Sequence, residues 1–225
     1  MTHQIRRKKK LKIISFNIKS CQECNLMELI DYFKKKKPDV ICLQEVDKCS
    51  KYCEQDICKE FINEFGYESK YLKTVKRKGF GEYGICIFSK YKIHDYQEYY
   101  YSNYDEKRGI QKISISVPFL KKKINIFNTH LDYKNVRDQQ VVECLNFISR
   151  FELSDFILCG DLNLNPKSII YGKISDYFKE INYSNTYSYK RPKEIIDYIL
   201  INKNSNLSIE YEVENVKLSD HKPLV

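Results

Sequence analysis

Short apolar runs that stop abruptly on polar residues recur along this 225-residue chain. Leu11 to Phe16 stops on Asn17, Val40 to Leu43 on Gln44 and Glu45, Ile124 to Phe127 on Asn128-Thr-His130, and Ile157 to Cys159 on Gly160-Asp-Leu-Asn163. Apolar runs of this length bounded by turn residues read as buried strands. Between them the period changes. Leu26, Leu29, Ile30 and Phe33 lie at i, i+3, i+4 and i+7, one face of a helix, and Val141, Cys144, Leu145 and Ile148 mark another. Ile57, Phe61 and Phe65 are four apart and precede Gly66, a residue suited to the position just past a helix end. From Tyr71 to Val117 the runs Ile85 to Phe88, Lys92 to His94 and Ile113 to Val117 are broken by turn residues, which predicts antiparallel strands. Ile195 to Ile201, Leu207 to Val213 and the segment after Asp220 predict further strands. The order of meanders and crossover helices predicts an α/β protein of packed sheets covered by helices, a single domain over residues 1–225 with a basic segment at 1–10.

The polar residues that close these runs carry the candidate chemistry. If the strand ends lie at one edge, Asn17, Glu45, His130, Asp161, Asn163 and the Ser219-Asp-His221 segment converge into one acid-rich pocket. Asp197 is the most telling single residue, because it interrupts the strand-like run Glu194 to Ile201. A carboxylate there must find a partner or shift its pKa, and a histidine is a partner that gains orientation and charge in return.

Composition changes this picture little. The formal charge of +9 invites a polyanion, but the chain has no Trp, no Ala and a surplus of Lys, Asn, Ile and Tyr, as expected of A+T-rich coding. Arg6 to Lys10, Lys34 to Lys37 and Lys121 to Lys123 precede strands whose far ends bear the site, which assigns them to the opposite end. Only Lys73, Lys76, Arg77 and Lys78, ahead of Gly79 to Gly84, are expected near the pocket. No apolar run reaches the roughly 20 residues of a membrane span and the N-terminus lacks a signal-peptide pattern, so a soluble, monomeric, intracellular protein, cytoplasmic or nuclear, is expected. Nine cysteines are present. Cys42, Cys86, Cys144 and Cys159 fall in apolar runs and read as core, whereas Cys21, Cys24, Cys49, Cys53 and Cys58 have spacings that match no zinc module.

In order and spacing, Asn17, Leu43-Gln-Glu-Val46, Asn128-Thr-His-Leu-Asp132 with Arg137 and Gln140, Gly160-Asp-Leu-Asn163, Ile196-Asp-Tyr198 and Ser219-Asp-His221 resemble the endonuclease/exonuclease/phosphatase superfamily with the DNase I-like fold. The resemblance implies a four-layer sandwich, two face-to-face mainly antiparallel β-sheets flanked by helices, and metal-dependent hydrolysis of phosphate esters. It makes Glu45 the principal ligand of Mg²⁺ or Mn²⁺, with Asn17 and Asp220 completing or bordering the shell. Asp161 would orient or deprotonate the attacking water, and Asn163 would hold that water or a phosphate oxygen. His221, steadied by Asp197, would donate to the phosphoryl oxygens, and His130 would protonate or stabilise the leaving oxygen. Asp47, two places after Glu45, replaces a lysine typical of the abasic-site branch.

Each residue taken alone has a plainer reading: Asn17, Asp161 and Asn163 as turn formers, Glu45 as a solvated strand end, His130 as a structural histidine. Arg137 and Gln140 are expected to tie a helix to a loop. Tyr83 and Arg108 are candidates for phosphate contact or for structure. The substrate expectation is a nucleic-acid phosphodiester, with Tyr99, Tyr100, Tyr101 and Tyr104 as stacking rings on the rim; a phosphoinositide or other small or lipid phosphoester is the alternative. A dinuclear phosphoesterase of the calcineurin type would need an Asp where Leu164 stands, and a binding module without catalysis would show an eroded motif set.

Overall fold

The computed structural model describes residues 10–77, 80–102, 106–134, 136–151, 155–179 and 187–225. Strands β1 (Ile13–Asn17), β2 (Val40–Lys48), β3 (Glu68–Lys76) and β4 (Glu82–Ser89) form one sheet in the order β1-β2-β4-β3. Strands β5 (Ile93–Tyr100), β6 (Gly109–Val117), β7 (Lys122–His130) and β8 (Phe156–Asp161) continue into a second sheet. After the short hairpin of β9 (Tyr189–Lys190) and β10 (Lys193–Glu194), strand β11 (Asp197–Ile201) completes it in the order β11-β8-β7-β6-β5. Both sheets are mixed but mainly antiparallel, with one parallel pair each, β1 with β2 and β7 with β8.

Alternation along the strands builds three apolar layers. Ile14, Phe16, Ile41 and Leu43 pack outward under α1 (Leu26–Lys36) and α2 (Ile57–Phe65). Phe127, Leu158, Tyr198 and Leu200 pack outward under α3 (Arg137–Ser149) and α4 (Tyr171–Tyr177). Ile13, Val40, Cys42 and Ile87 of the first sheet meet Ile113, Ile126, Cys159 and Ile199 of the second. The result is a helix-sheet-sheet-helix sandwich. The helix ends follow local chemistry: Asn25 and Glu28 form a capping box at the start of α1, and Gly66 takes φ 65° after α2.

The inward-facing positions that are apolar at one end of the strands become polar at the other. Asn17 on β1, Gln44 on β2, Asn128 and His130 on β7, Asp161 on β8 and Asp197 on β11 continue the series begun by Ile13, Val40, Ile126, Cys159 and Ile199. The two sheets are joined there by side chains: Gln44 Nε2 donates to Asn128 Oδ1 at 2.7 Å, and Asn128 Nδ2 donates to the Leu43 and Cys86 carbonyls at 3.0 and 3.1 Å. The Asn128 carboxamide thus uses both its oxygen and its nitrogen within the fold, whereas Gln44 Oε1 and Asp197 Oδ1 have no hydrogen-bond partner among the described residues.

Gly160 makes the last turn of β8 possible. Its φ is 148°, and a Cβ there would lie 2.1 Å from the Thr129 carbonyl oxygen of the parallel neighbour β7. Gly160→Ala is expected to destabilise the protein by about 1–3 kcal/mol from backbone strain alone, with the clash in addition. Urea unfolding at unchanged stability would contradict this account of the strand end.

Several expectations need correction. Leu207 to Val213 is not a strand of either sheet: only Val213 bridges Leu224, and Glu212 exchanges hydrogen bonds with Val225. Leu207, Ile209, Tyr211 and Val213 alternate with polar residues and cover the edge of the inter-sheet core, but the short C-terminal stretch is their partner. Strand β5 is longer than the Lys92–His94 run, because its half-exposed face takes polar residues while β6 supplies the pairing. Tyr101 is no stacking platform; it is 1% exposed and bonded through its hydroxyl to Thr129 Oγ1 at 2.7 Å. Tyr99 stacks on Phe147 and donates to Glu143. His3, Arg6, Lys78, Gly79 and Tyr104 lie outside the described residues.

Candidate active site

At the polar end of the inter-sheet layer, Asp161 is the point on which the other groups converge. The sheet register places it directly between His130 on β7 and Asp197 on β11. Its Oδ2 accepts from Asn17 Nδ2 at 3.0 Å and faces His130 Nε2 at 3.5 Å and His221 Nε2 at 3.7 Å. Its Oδ1 accepts from the Asn163 backbone N–H at 2.9 Å, a turn that Asn163 closes with φ 47°. Two carboxylates opposite one another on paired strands repel, and His221 offsets this by donating Nδ1–H to Asp197 Oδ2 at 2.9 Å. The Tyr189 ring packs on the imidazole at 4.8 Å, and Ser188 Oγ accepts from the N–H groups of Ile196 and Asp197.

Protonation follows from this arrangement. Burial first, then the Asp197 charge, pushes the Asp161 carboxyl up to about 7 against the opposing pull of His221, Asn17 and the Asn163 N–H. Burial works against the charged form of His221, but the Asp197 and Asp161 charges and the hydrogen bond that His221 donates to Asp197 outweigh it and hold the imidazole up at about 10. His130 goes the other way, well below the usual histidine range, through burial, the Arg108 charge and His221. At neutral pH one histidine is thus an imidazolium and the other neutral.

Glu45 reaches the same place by a backbone irregularity. The register of β2 against β4 shifts between Leu43 and Val46, and Glu45 takes φ 54°. This bulge keeps Leu43 and Val46 both under the helices and turns the carboxylate to the sheet end. Glu45 Oε1 accepts from Asn17 Nδ2 at 3.0 Å, so one amide nitrogen bridges Glu45 and Asp161. Glu45 is half-buried and forms no ion pair among the described residues.

The remaining sequence candidates are placed as follows. Asn17 Oδ1 accepts from the Lys19 N–H, so Asn17 presents its amide nitrogen, not its oxygen, to the acids. Asp220 pairs with Lys19 Nζ at 2.7 Å, the same lysine whose backbone N–H bonds Asn17 Oδ1. Lys19 was not anticipated; nothing in its sequence neighbourhood signals the contact across 201 residues of chain that folding creates, roughly the whole domain. Asn163 Nδ2 is taken by the Leu131 carbonyl at 2.9 Å. Arg137 Nη1 donates to the Asn163 carbonyl and Gln140 Oε1 accepts from the Asp132 N–H, which ties α3 to the site loops as expected. Tyr83 and Arg108 are buried, 3% and 8% exposed, beside His130. On the rim, Lys73 pairs with Glu82 and Arg77 with Asp47, the Arg77 guanidinium lying over the Tyr83 ring. Cys21 contacts both Cys24 and Cys53.

Among the described residues, the one group of three possible metal-ligand side chains with atoms within 4.8 Å is Asp161, Asp197 and His221. Within this trio His221 Nδ1 bonds Asp197 at 2.9 Å and its Nε2 faces Asp161 at 3.7 Å. Glu45, half-buried beside the Asn17 amide, offers carboxylate oxygens of the kind that a hard divalent cation takes.

Residues 14–221 match the family described as the Endonuclease/Exonuclease/phosphatase family. Beta toxin from Staphylococcus aureus, in a mutant structure with bound magnesium ions, superposes with a TM-score of 0.79 at 16% identity, over 96% of this chain and 98% of that one. A family protein from Leptotrichia buccalis gives 0.75 at 20% identity over 96% and 98%. The human nocturnin catalytic domain with bound sulfate gives 0.73 at 17% identity over 97% and 93%. No curated protein matches the sequence. No helix among the described residues is long and apolar enough to cross a membrane.

Proposed function

As the chain belongs to the endonuclease/exonuclease/phosphatase family, we propose that it is a divalent-metal-dependent phosphoesterase that acts on a nucleic-acid phosphodiester. The observation that carries the catalytic part is the convergence of Asn17, His130 and His221 on one Asp161 oxygen, with Glu45 on the other side of the same Asn17 amide.

Phosphate esters resist attack because their anionic oxygens repel a nucleophile, so a catalyst must supply positive charge, a base and donors. Mg²⁺ or Mn²⁺, held by Glu45 with Asn17 alongside, supplies positive charge to the phosphate oxygens when bound. Asp161 takes the proton of the attacking water, and its raised pKa suits that transfer near neutrality. The Asn163 carboxamide oxygen, left over after Nδ2 bonds Leu131, accepts from the same water. His221, charged and fixed by Asp197, donates Nε2–H to a phosphoryl oxygen as negative charge grows.

The nucleic-acid preference rests on the rim, where Phe80 and Tyr133 are 97% and 66% exposed on loops that leave β3 and β7 at the site end. Exposed rings beside a phosphate site suit stacked bases. A panel of single-stranded DNA, duplex DNA, RNA, inositol phosphates and sphingomyelin tests this. Nucleic-acid cleavage that weakens steeply with salt is expected, and turnover confined to inositol phosphates or lipid head groups would replace it with the alternative. Glu45→Gln should weaken metal activation, so that excess Mg²⁺ restores part of the rate; a variant with normal metal affinity that no Mg²⁺ concentration rescues would remove Glu45 from the metal site.

A further inference from the structure

His130 and His221 flank the same oxygen of Asp161, yet their far nitrogens meet opposite partners. His221 Nδ1 faces the Asp197 carboxylate at 2.9 Å, whereas His130 Nδ1 faces Arg108 Nη1 at 2.6 Å. A guanidinium has donors and no acceptor, and it keeps its charge at any pH the fold survives. The nitrogen that faces it must therefore be the acceptor, with no proton of its own. The single ring proton is left on Nε2, which points toward Asp161.

Arg108 is built into this position. It is 8% exposed, Nη1 also reaches the Tyr83 hydroxyl at 3.3 Å, and Nη2 pairs with Glu106 at 3.1 Å. Gly109, the next residue, pairs directly with His130 across β6 and β7, so strand register delivers the guanidinium to the imidazole. A glycine is required there, because a Cβ would lie 2.6 Å from the Tyr99 carbonyl oxygen. The charged groups that face His130 are Arg108, His221 and Asp161, two cations against one carboxylate.

We propose that Arg108 is a positioning residue that locks His130 in the neutral Nε2–H form, so that His130 serves as an uncharged hydrogen-bond donor to the reacting phosphate and leaves the cationic role to His221. The catalytic part of this inference rests on the phosphoesterase reading, but the ring state does not. Arg108 is thereby removed from the candidates for direct phosphate contact.

Two-bond ¹H–¹⁵N correlation spectra of the full chain labelled at histidine test the ring state without any turnover, with only four histidines to assign. His130 should show a protonated Nε2 and a bare Nδ1 from pH 6 to 8, while both nitrogens of His221 are protonated. Arg108→Met should lose this pattern for His130, and Arg108→Lys, which keeps a charged donor, should retain it. A doubly protonated or Nδ1–H His130 in the wild type overturns the proposal, as does an unchanged pattern in a folded Arg108→Met; if that variant does not fold, the wild-type and Arg108→Lys spectra decide. For catalysis, His130→Gln preserves a neutral donor and should stay within about tenfold of the wild-type rate, whereas His130→Ala should lose about 10²-fold. Equal losses in the two would overturn the donor role, and a chain that hydrolyses no phosphoester would overturn the phosphoesterase reading while the spectra still settle the ring.

Discussion

Asp161→Ala should lower phosphodiester turnover by about 10²-fold or more, with kcat reduced and KM little changed. In the proposed reaction the carboxylate acts on water, not on the substrate, so the loss belongs to the chemical step. Stability should hold or rise, because Asp161 is a buried carboxylate set directly opposite Asp197, and its removal relieves that repulsion. Thermal unfolding alongside stopped kinetics separates the two effects. A variant within tenfold of wild type would take the base away from Asp161, and a collapse of stability would show that its role is structural.

His221→Ala should cost a similar factor, about 10² or more, for a different reason and with the opposite effect on the fold. It removes the proposed donor to the phosphoryl oxygen and leaves Asp197 buried without its cation. Asp197 Oδ1 already has no hydrogen-bond partner among the described residues, so the variant should melt earlier than wild type. The linked variant Asp197→Asn tests the charge itself. Its carboxamide keeps the shape but not the field that raises the imidazole, so the alkaline limb of activity, expected near pH 10 in the wild type, should move to lower pH. An alkaline limb that stays in place would mean that another group governs it.

These effects depend on residues of unequal visibility in the sequence. The apolar runs located β1, β2, β7 and β8 but not β3 or the full length of β5, and the polar residue closing each run was legible because parallel pairing of β1 with β2 and of β7 with β8 brings like ends together. Asp197 was visible as a carboxylate inside an apolar strand, and the structure gives it the histidine partner that such a residue requires. Glu45 was legible as a type but not as a direction, since the bulge that aims it lies in backbone angles that no period-2 pattern records. The pairing of Lys19 with Asp220, the turning of the Asn17 amide toward the acids and the grip of Arg108 on His130 all join segments far apart in the chain. Local pattern carries no signal for such contacts. The rim misled in part: four tyrosines in a polar stretch suggested exposed rings, and Tyr99 is exposed although it stacks on Phe147 of α3, but Tyr101 found an apolar place beside Thr129.

The central claim, a phosphoesterase whose acids cooperate with a divalent metal, is tested most directly by turnover of bis-p-nitrophenyl phosphate across a Mg²⁺ titration, with and without EDTA. Turnover should rise with Mg²⁺, disappear in EDTA and return when excess Mg²⁺ is restored. Robust hydrolysis that persists in EDTA would contradict the account.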